Sequence, residues 1–117
     1  MDNNIIISKS YTFAIRIVNL YKMLSSEKKE YVLSKQLLRS GTAIGALVAE
    51  GKHAQSKADF LNKMNVSLKE ANETLYWIEL LKDTSFLSLK EYESIVEDAR
   101  ELVKILASIV KTTKQNL

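Results

Sequence analysis

The fold is decided by residues 88–110, which read SLKEYESIVEDARELVKILASIV. Ser88 and Glu91 have the spacing of a capping box, in which each side chain binds the backbone of the other residue at the start of a helix. Behind this start, apolar residues recur at alternating intervals of three and four, which places them on one stripe of an α-helix. They are Tyr92, Val96, Ala99, Val103, Leu106 and Val110. The segment predicts a helix over about residues 89–113.

Three other segments have the same period and predict helices over about residues 8–25, 30–53 and 57–83. The chain of 117 residues has no Pro, no Cys and only three Gly, which argues against a turn-rich β fold. The connections are short, so neighbouring helices should run antiparallel. We predict a single all-α domain, an antiparallel up-down-up-down four-helix bundle spanning residues 1–117.

Helices one and four carry more apolar residues than one core-facing stripe requires. The main stripe of helix one contains Ile7, Tyr11, Ala14, Val18 and Tyr21. The second stripes contain Phe13, Ile17, Leu20 and Leu24 on helix one, and Ile95, Leu102, Ile105 and Ile109 on helix four. An apolar face that the core does not use must be covered elsewhere. A wide core-facing stripe is the alternative, but we interpret these eight residues as a homo-oligomer interface.

Composition and length exclude several classes of protein. Residues 40–49 form an uncharged stretch of ten, whereas a membrane span needs about twenty residues. At the N-terminus only Ile5, Ile6 and Ile7 form an apolar run, and the charged residue before them is the acidic Asp2. A signal peptide needs a longer apolar run behind positive charge, so we do not expect one. We therefore expect a cytoplasmic protein with no membrane partner. The absence of Cys removes disulfides and thiolate metal sites.

The sequence contains half of a metal-binding motif. Glu50 and His53 are spaced as Glu-x-x-His, which di-iron carboxylate bundles use twice, but the chain has one His. We predict no metal site and no cofactor. Glu50 and Glu73 could act as a pair of carboxylates in acid–base catalysis, but the sequence shows no nucleophile and no second His to act with them. We therefore predict no enzymatic activity. An enzyme or metalloprotein that uses Glu50, Glu73 and His53 remains an alternative.

Two further patterns on helices two and three predict packing rather than chemistry. Gln36 and Glu50 lie two heptads apart on one side of helix two, and Glu73 precedes Trp77 by one helical turn. We predict that these four residues form a structural polar seam. Gly41 and Gly45 would each lower helix stability by about 1 kcal/mol. We interpret them as a contact surface that allows close approach of a neighbouring backbone or of a bulky ring, such as Tyr76 or Trp77.

Charge is unevenly divided along the chain. Residues 1–57 contain nine Lys and Arg against four acidic residues, whereas residues 58–117 contain eight against ten. Lys28, Lys29, Lys35 and Arg39 cluster around the first connection, with Lys22 nearby. One copy would make a weak basic patch, but several copies around a ring would make a basic rim suited to a phosphate backbone. We predict that these four residues bind nucleic acid.

Several strings in combination resemble one known family. They are Tyr31–Ser40, Ser40–Gly45, Ala49–Gly51, Asp59–Phe60 and Glu70–Trp77, with Tyr11–Leu24 fitting the opening helix. The chain resembles the 23S rRNA intervening-sequence proteins, which are four-helix bundles. The family's usual Asn three residues before the Glu of helix two is Leu47 here, so any contact that the Asn makes in relatives is missing.

The resemblance implies assembly into a homopentameric ring. It also implies a relation to the accessory proteins of diversity-generating retroelements, which are basic rings thought to bind nucleic acid and a reverse transcriptase. The expected partners are therefore further copies of this chain, RNA or DNA, and a protein. The alternative function is a protein–protein interaction scaffold that does not bind nucleic acid.

Overall fold

The computed structural model describes residues 4–117 as four helices joined by short connections. They are α1 (Asn4–Ser26), α2 (Leu33–Gly51), α3 (Lys57–Asp83) and α4 (Leu89–Gln115). Each helix packs against the next one along the chain, and α1 also packs against α4, which closes the bundle. The molecule measures 46 × 20 × 19 Å. This arrangement confirms the predicted all-α, antiparallel four-helix bundle.

The helix ends follow local sequence signals. Ser56 caps α3 by accepting a hydrogen bond from the backbone N–H of Asp59 at 3.0 Å. The predicted capping box of α4 is present, since Ser88 N donates to Glu91 Oε1 at 2.8 Å and Glu91 N donates to Ser88 Oγ at 3.1 Å. After α3, Ser85 adopts a φ of 69°, and Phe86 N donates to the carbonyl of Leu81 at 2.9 Å. This pattern is a Schellman motif, which ends the helix.

The core shows that the predicted oligomer interface was wrong for six of its eight residues. Phe13, Ile17 and Leu24 on α1 are at most 2% exposed. Ile95, Leu102 and Ile109 on α4 are at most 5% exposed. Leu20 and Ile105 are half-buried and pack against the same core. In α4 both apolar stripes face the core, because this helix packs against α3 on one side and α1 on the other.

In α1 the two stripes have exchanged roles relative to the prediction. The stripe assigned to the core includes Tyr11, which is 69% exposed, and Val18, which is half-buried. Ile15, between them, is 49% exposed. Periodicity identifies a stripe but not the direction in which it points, and both stripes of α1 have the correct period. We call Tyr11, Ile15 and Val18 the outer face of α1.

The helix pair α1–α2 approaches closely because α2 carries glycine at the contact. A Cβ atom added to Gly41 would lie 2.9 Å from the Ile17 side chain. A Cβ atom added to Gly45 would lie 3.2 Å from the backbone oxygen of Ser10. The two glycines therefore form the predicted contact surface. Its partner is α1, through the backbone at Gly45 and the Ile17 side chain at Gly41, and not the ring of Tyr76 or Trp77.

A row of polar contacts joins α1 to α4. Lys9 Nζ lies 3.0 Å from Glu101 Oε1. Two helical turns further along α1, Arg16 pairs with Asp98 and donates to Ser94 Oγ at 2.7 Å. Because these groups are partly exposed, each ion pair contributes little to the free energy of unfolding.

Candidate nucleic-acid interface

The predicted basic patch surrounds the connection between α1 and α2. Lys28 and Lys29 are exposed on this connection, and Lys35 is exposed in the first turn of α2. Lys29 has a φ of 57°, a left-handed conformation that is uncommon for residues other than Gly. The chain turns sharply here, and the backbone N–H of Glu30 donates to the carbonyl of Leu24 at 2.9 Å.

Glu30 holds this connection in place. Its carboxylate accepts backbone hydrogen bonds from Val32 at 3.1 Å, Leu33 at 2.9 Å and Ser34 at 2.7 Å. Burial alone would raise the pKa of Glu30, but the three backbone donors outweigh burial and lower the pKa below its ordinary value. The carboxylate thus occupies the N-terminus of α2, which begins at Leu33 and not near residue 30 as predicted.

Folding brings acidic residues to the same end of the bundle. The α3–α4 connection lies beside the α1–α2 connection, because the helices alternate in direction. The N–H of Ser88 lowers the pKa of Glu91, and the charge of Lys28 adds to this effect. Residues 22–35 and 79–93 together contain six Lys and six acidic residues. The predicted patch is therefore balanced by charges that are distant in sequence.

Arg39 does not belong to the patch. Its guanidinium lies 3.1 Å from Glu70 Oε1 and also pairs with Glu73, both on α3. The hydrogen bond with Glu73 raises the pKa of Arg39. Because its guanidinium already pairs with two carboxylates, Arg39 is not one of the phosphate contacts, contrary to the prediction. The sequence of α2 alone gives no sign of these partners.

The predicted polar seam is only half present. Trp77 Nε1 donates to Glu73 Oε2 at 2.9 Å, and this bond, together with Arg39, lowers the pKa of Glu73. Gln36 is exposed, and the side chain of Glu50 is 58% exposed and 3.8 Å from Lys63. Gln36 and Glu50 therefore lie on the solvent side of α2, so their assignment to the seam is corrected.

Buried hydroxyl groups supply the polar contacts between α2 and α3 that the sequence analysis missed. Thr74 Oγ1 donates to Ser40 Oγ at 2.9 Å, and Ser67 Oγ donates to the carbonyl of Ile44 at 3.0 Å. All three hydroxyl side chains are fully buried. The spacing of Ser67 and Thr74, one heptad apart next to the apolar stripe of α3, is the signal that could have identified them.

The residues of the alternative catalytic or metal site do not converge. Glu50 lies near Lys63, whereas Glu73 binds Arg39 and Trp77. Lys63 and Glu73 are separated on α3 by about 15 Å along the helix axis. His53 is exposed in the α2–α3 connection. Within residues 4–117, no three His, Asp or Glu side chains lie close enough to hold a metal ion.

Helix length and hydropathy also bear on a membrane association. No helix within the described part of the chain has a segment both long enough and apolar enough to cross a bilayer.

The comparisons with known proteins agree with the fold. The family model of the 23S rRNA-intervening sequence protein matches residues 2–108. A crystal structure of a protein of unknown function from the S23 ribosomal protein family of Bacteroides thetaiotaomicron VPI-5482 is 57% identical to this chain. The match covers 95% of this chain and 99% of that one, with a TM-score of 0.92. No curated protein matches the sequence. The chain belongs to the 23S rRNA-intervening sequence protein family.

Proposed function

We propose that this protein is a non-enzymatic, homo-oligomeric accessory protein that binds the phosphate backbone of RNA or DNA. The observation that carries the homo-oligomeric part of this proposal is the outer face of α1. Tyr11 and Ile15 are one helical turn apart and are 69% and 49% exposed. Large apolar side chains that lie side by side on a surface are typical of a protein–protein contact.

A second copy of the chain is the occupant that we propose for this face. A contact between two different surfaces of the same chain generates a closed ring when its rotation closes. Membership of the family supports a ring of five, which is the assembly that the resemblance implies. In such a ring every basic group of one copy occurs five times, so the net charge of +3 per chain is multiplied and favours a polyanionic partner.

Lys28, Lys29 and Lys35 are the phosphate contacts that we retain from the sequence. All three are exposed, and the Glu30 cap fixes the connection that carries two of them. Lysine contacts a phosphate as a point charge and reads no base sequence. We therefore expect binding that is insensitive to sequence and sensitive to salt.

The test combines solution mass with RNA binding on one sample. Light scattering should give a mass several times that of the 13.3 kDa chain. Fluorescence anisotropy with a labelled single-stranded RNA should show binding at low salt that weakens steeply as salt is added. The triple variant Lys28→Gln, Lys29→Gln, Lys35→Gln should bind more weakly.

The matched control changes three exposed lysines away from this connection, Lys9→Gln, Lys69→Gln and Lys104→Gln, and alters the net charge equally. A single-copy protein would contradict the ring, and a wild-type protein that binds neither RNA nor DNA at low salt would contradict the nucleic-acid function. If the two triple variants bind equally well, the assignment to Lys28, Lys29 and Lys35 is wrong.

One observation favours the alternative, a protein–protein scaffold. Tyr76 is 60% exposed, and its ring meets that of Trp77 edge-on with centroids 4.9 Å apart. Arg39 lies beside Trp77 through their shared partner Glu73. Tyr, Trp and Arg are the residues most enriched in the energetic centres of protein interfaces. A partner that co-purifies after nuclease treatment and is lost in Tyr76→Ala would favour the scaffold.

A further inference from the structure

The excess positive charge of the bundle lies at the end opposite the predicted patch. This end contains the start of α1, the end of α2, the start of α3 and the end of α4, and residues 4–8 of α1 carry no charge. Residues 47–63 and 111–117 contain five Lys and two acidic residues. The other end, formed by residues 22–35 and 79–93, contains six of each. With helices of about 40 Å between them, the two ends are electrostatically separate at physiological salt.

Specific contacts bring the lysines of three segments together. Lys57 Nζ, at the start of α3, donates to the backbone oxygen of Asn116 at 3.3 Å, so this lysine lies beside the end of α4. Lys63 lies 3.8 Å from Glu50 at the end of α2 and 3.9 Å from Asp59. Lys63 thus offsets part of the charge of both acidic residues at this end. Lys52, Lys57, Lys111 and Lys114 are all exposed at this end of the bundle.

We propose that the α2–α3 end, defined by Lys52, Lys57, Lys111 and Lys114, is a second and stronger contact surface for the phosphate backbone of nucleic acid. This inference rests on the proposed function and deepens it. The bundle is about 20 Å across, and a single strand or duplex laid over that width presents several phosphates. Four ammonium groups on three segments can meet those phosphates without any base contact.

The chemistry of the surface favours a phosphate backbone. The four side chains are flexible, strongly hydrated point charges that suit a flexible polyanion. Protein–protein interfaces are enriched in Arg and aromatic side chains and depleted in Lys, whereas the four basic residues of this surface are all lysines. The first connection offers three exposed lysines, but Glu30 and Glu91 stand beside them. At the α2–α3 end fewer carboxylates compete with phosphate.

The experiment compares two triple variants that remove the same charge. Lys52→Gln, Lys111→Gln and Lys114→Gln alter the α2–α3 end and leave Lys57 bound to Asn116. Lys28→Gln, Lys29→Gln and Lys35→Gln alter the opposite end. Each is titrated against a labelled single-stranded RNA of mixed sequence over a series of salt concentrations, after circular dichroism and light scattering show an unchanged fold and mass.

The α2–α3 variant should bind at least about tenfold more weakly than wild type and should lower the slope of log affinity against log salt by about 2, since each lost contact with a single strand removes about 0.7. The opposite variant should show less than half of that change in slope. Equal losses in the two variants, or a larger loss in the opposite variant, would overturn this surface while the proposed function stands. A wild-type protein that binds no nucleic acid overturns the proposed function, and this surface with it.

Discussion

A single carboxylate organises the connection that begins α2. Glu30 accepts three backbone hydrogen bonds from the first turn of the helix, and Ser34 Oγ donates in return to the carbonyl of Glu30 at 2.8 Å. The first N–H groups of a helix have no partner within the helix, and a negative charge there also interacts favourably with the helix dipole. One residue therefore replaces the Ser or Asp cap that α2 lacks.

The Glu30 cap predicts a pH-dependent stability. Its pKa is lower in the folded chain than the ordinary value of 4.5, so its contribution is present above that pH and is lost as the pH falls through the lower, folded-state pKa. Glu30→Gln should reduce the free energy of unfolding by about 1–2 kcal/mol near neutral pH. The loss should shrink in acid, as measured by urea unfolding at several pH values. Glu27→Gln, exposed on the same connection, should have little effect, and a loss for Glu30→Gln that is the same at all pH values would contradict the role.

At the scale of the elements, the contact between α1 and α2 depends on missing side chains. Gly45 faces the backbone of Ser10, and Gly41 faces Ile17, which is fully buried. Each glycine lowers helix stability by about 1 kcal/mol relative to Ala, but together they let the two helices approach and bury Phe13 and Ile17.

Because α1 and α2 lie so close together, a larger side chain on α2 should destabilise the fold only where it faces α1. Gly45→Leu should reduce the free energy of unfolding by about 2–3 kcal/mol, because its Cβ would already be 3.2 Å from the backbone oxygen of Ser10. Ala46→Leu, exposed one position further along α2, should change stability by less than about 0.5 kcal/mol. The measurement is chemical unfolding at low protein concentration. If both variants lost the same free energy of unfolding, the close approach of α1 and α2 at Gly45 would not be what limits side-chain size there.

At the scale of the whole molecule, antiparallel packing redistributes charge and apolar surface. It places the acidic start of α4 beside the lysines of the first connection, and gathers the lysines of α2, α3 and α4 at the opposite end. It also leaves the outer face of α1 exposed while both stripes of α4 are buried. The surfaces that we propose for binding are thus set by which helices become neighbours.

The exposed face of α1 predicts a melting temperature that depends on protein concentration. Association stabilises the folded state by mass action, so the melting temperature of the wild type should rise over a hundredfold increase in concentration. Tyr11→Lys with Ile15→Lys should remove this dependence and give the mass of one chain by light scattering. Both side chains are largely exposed, so the variant should still fold. Thr12→Lys, also exposed on α1, is the control, and a wild-type melting temperature independent of concentration would contradict the proposed ring.

The sequence by itself determined the helical class, the number of helices and most of their ends, because these depend on local period and on caps such as Ser56, Ser88 and Glu91. It also determined the family, through strings of residues that keep their order along the chain. Only the tertiary structure decided which stripe of α1 faces the core, which partner Gly41 and Gly45 meet, and which lysines keep their charge uncompensated. Those outcomes depend on residues that are far apart in the chain and adjacent in space: Ser10 next to Gly45, Glu73 next to Arg39, and Lys57 next to Asn116.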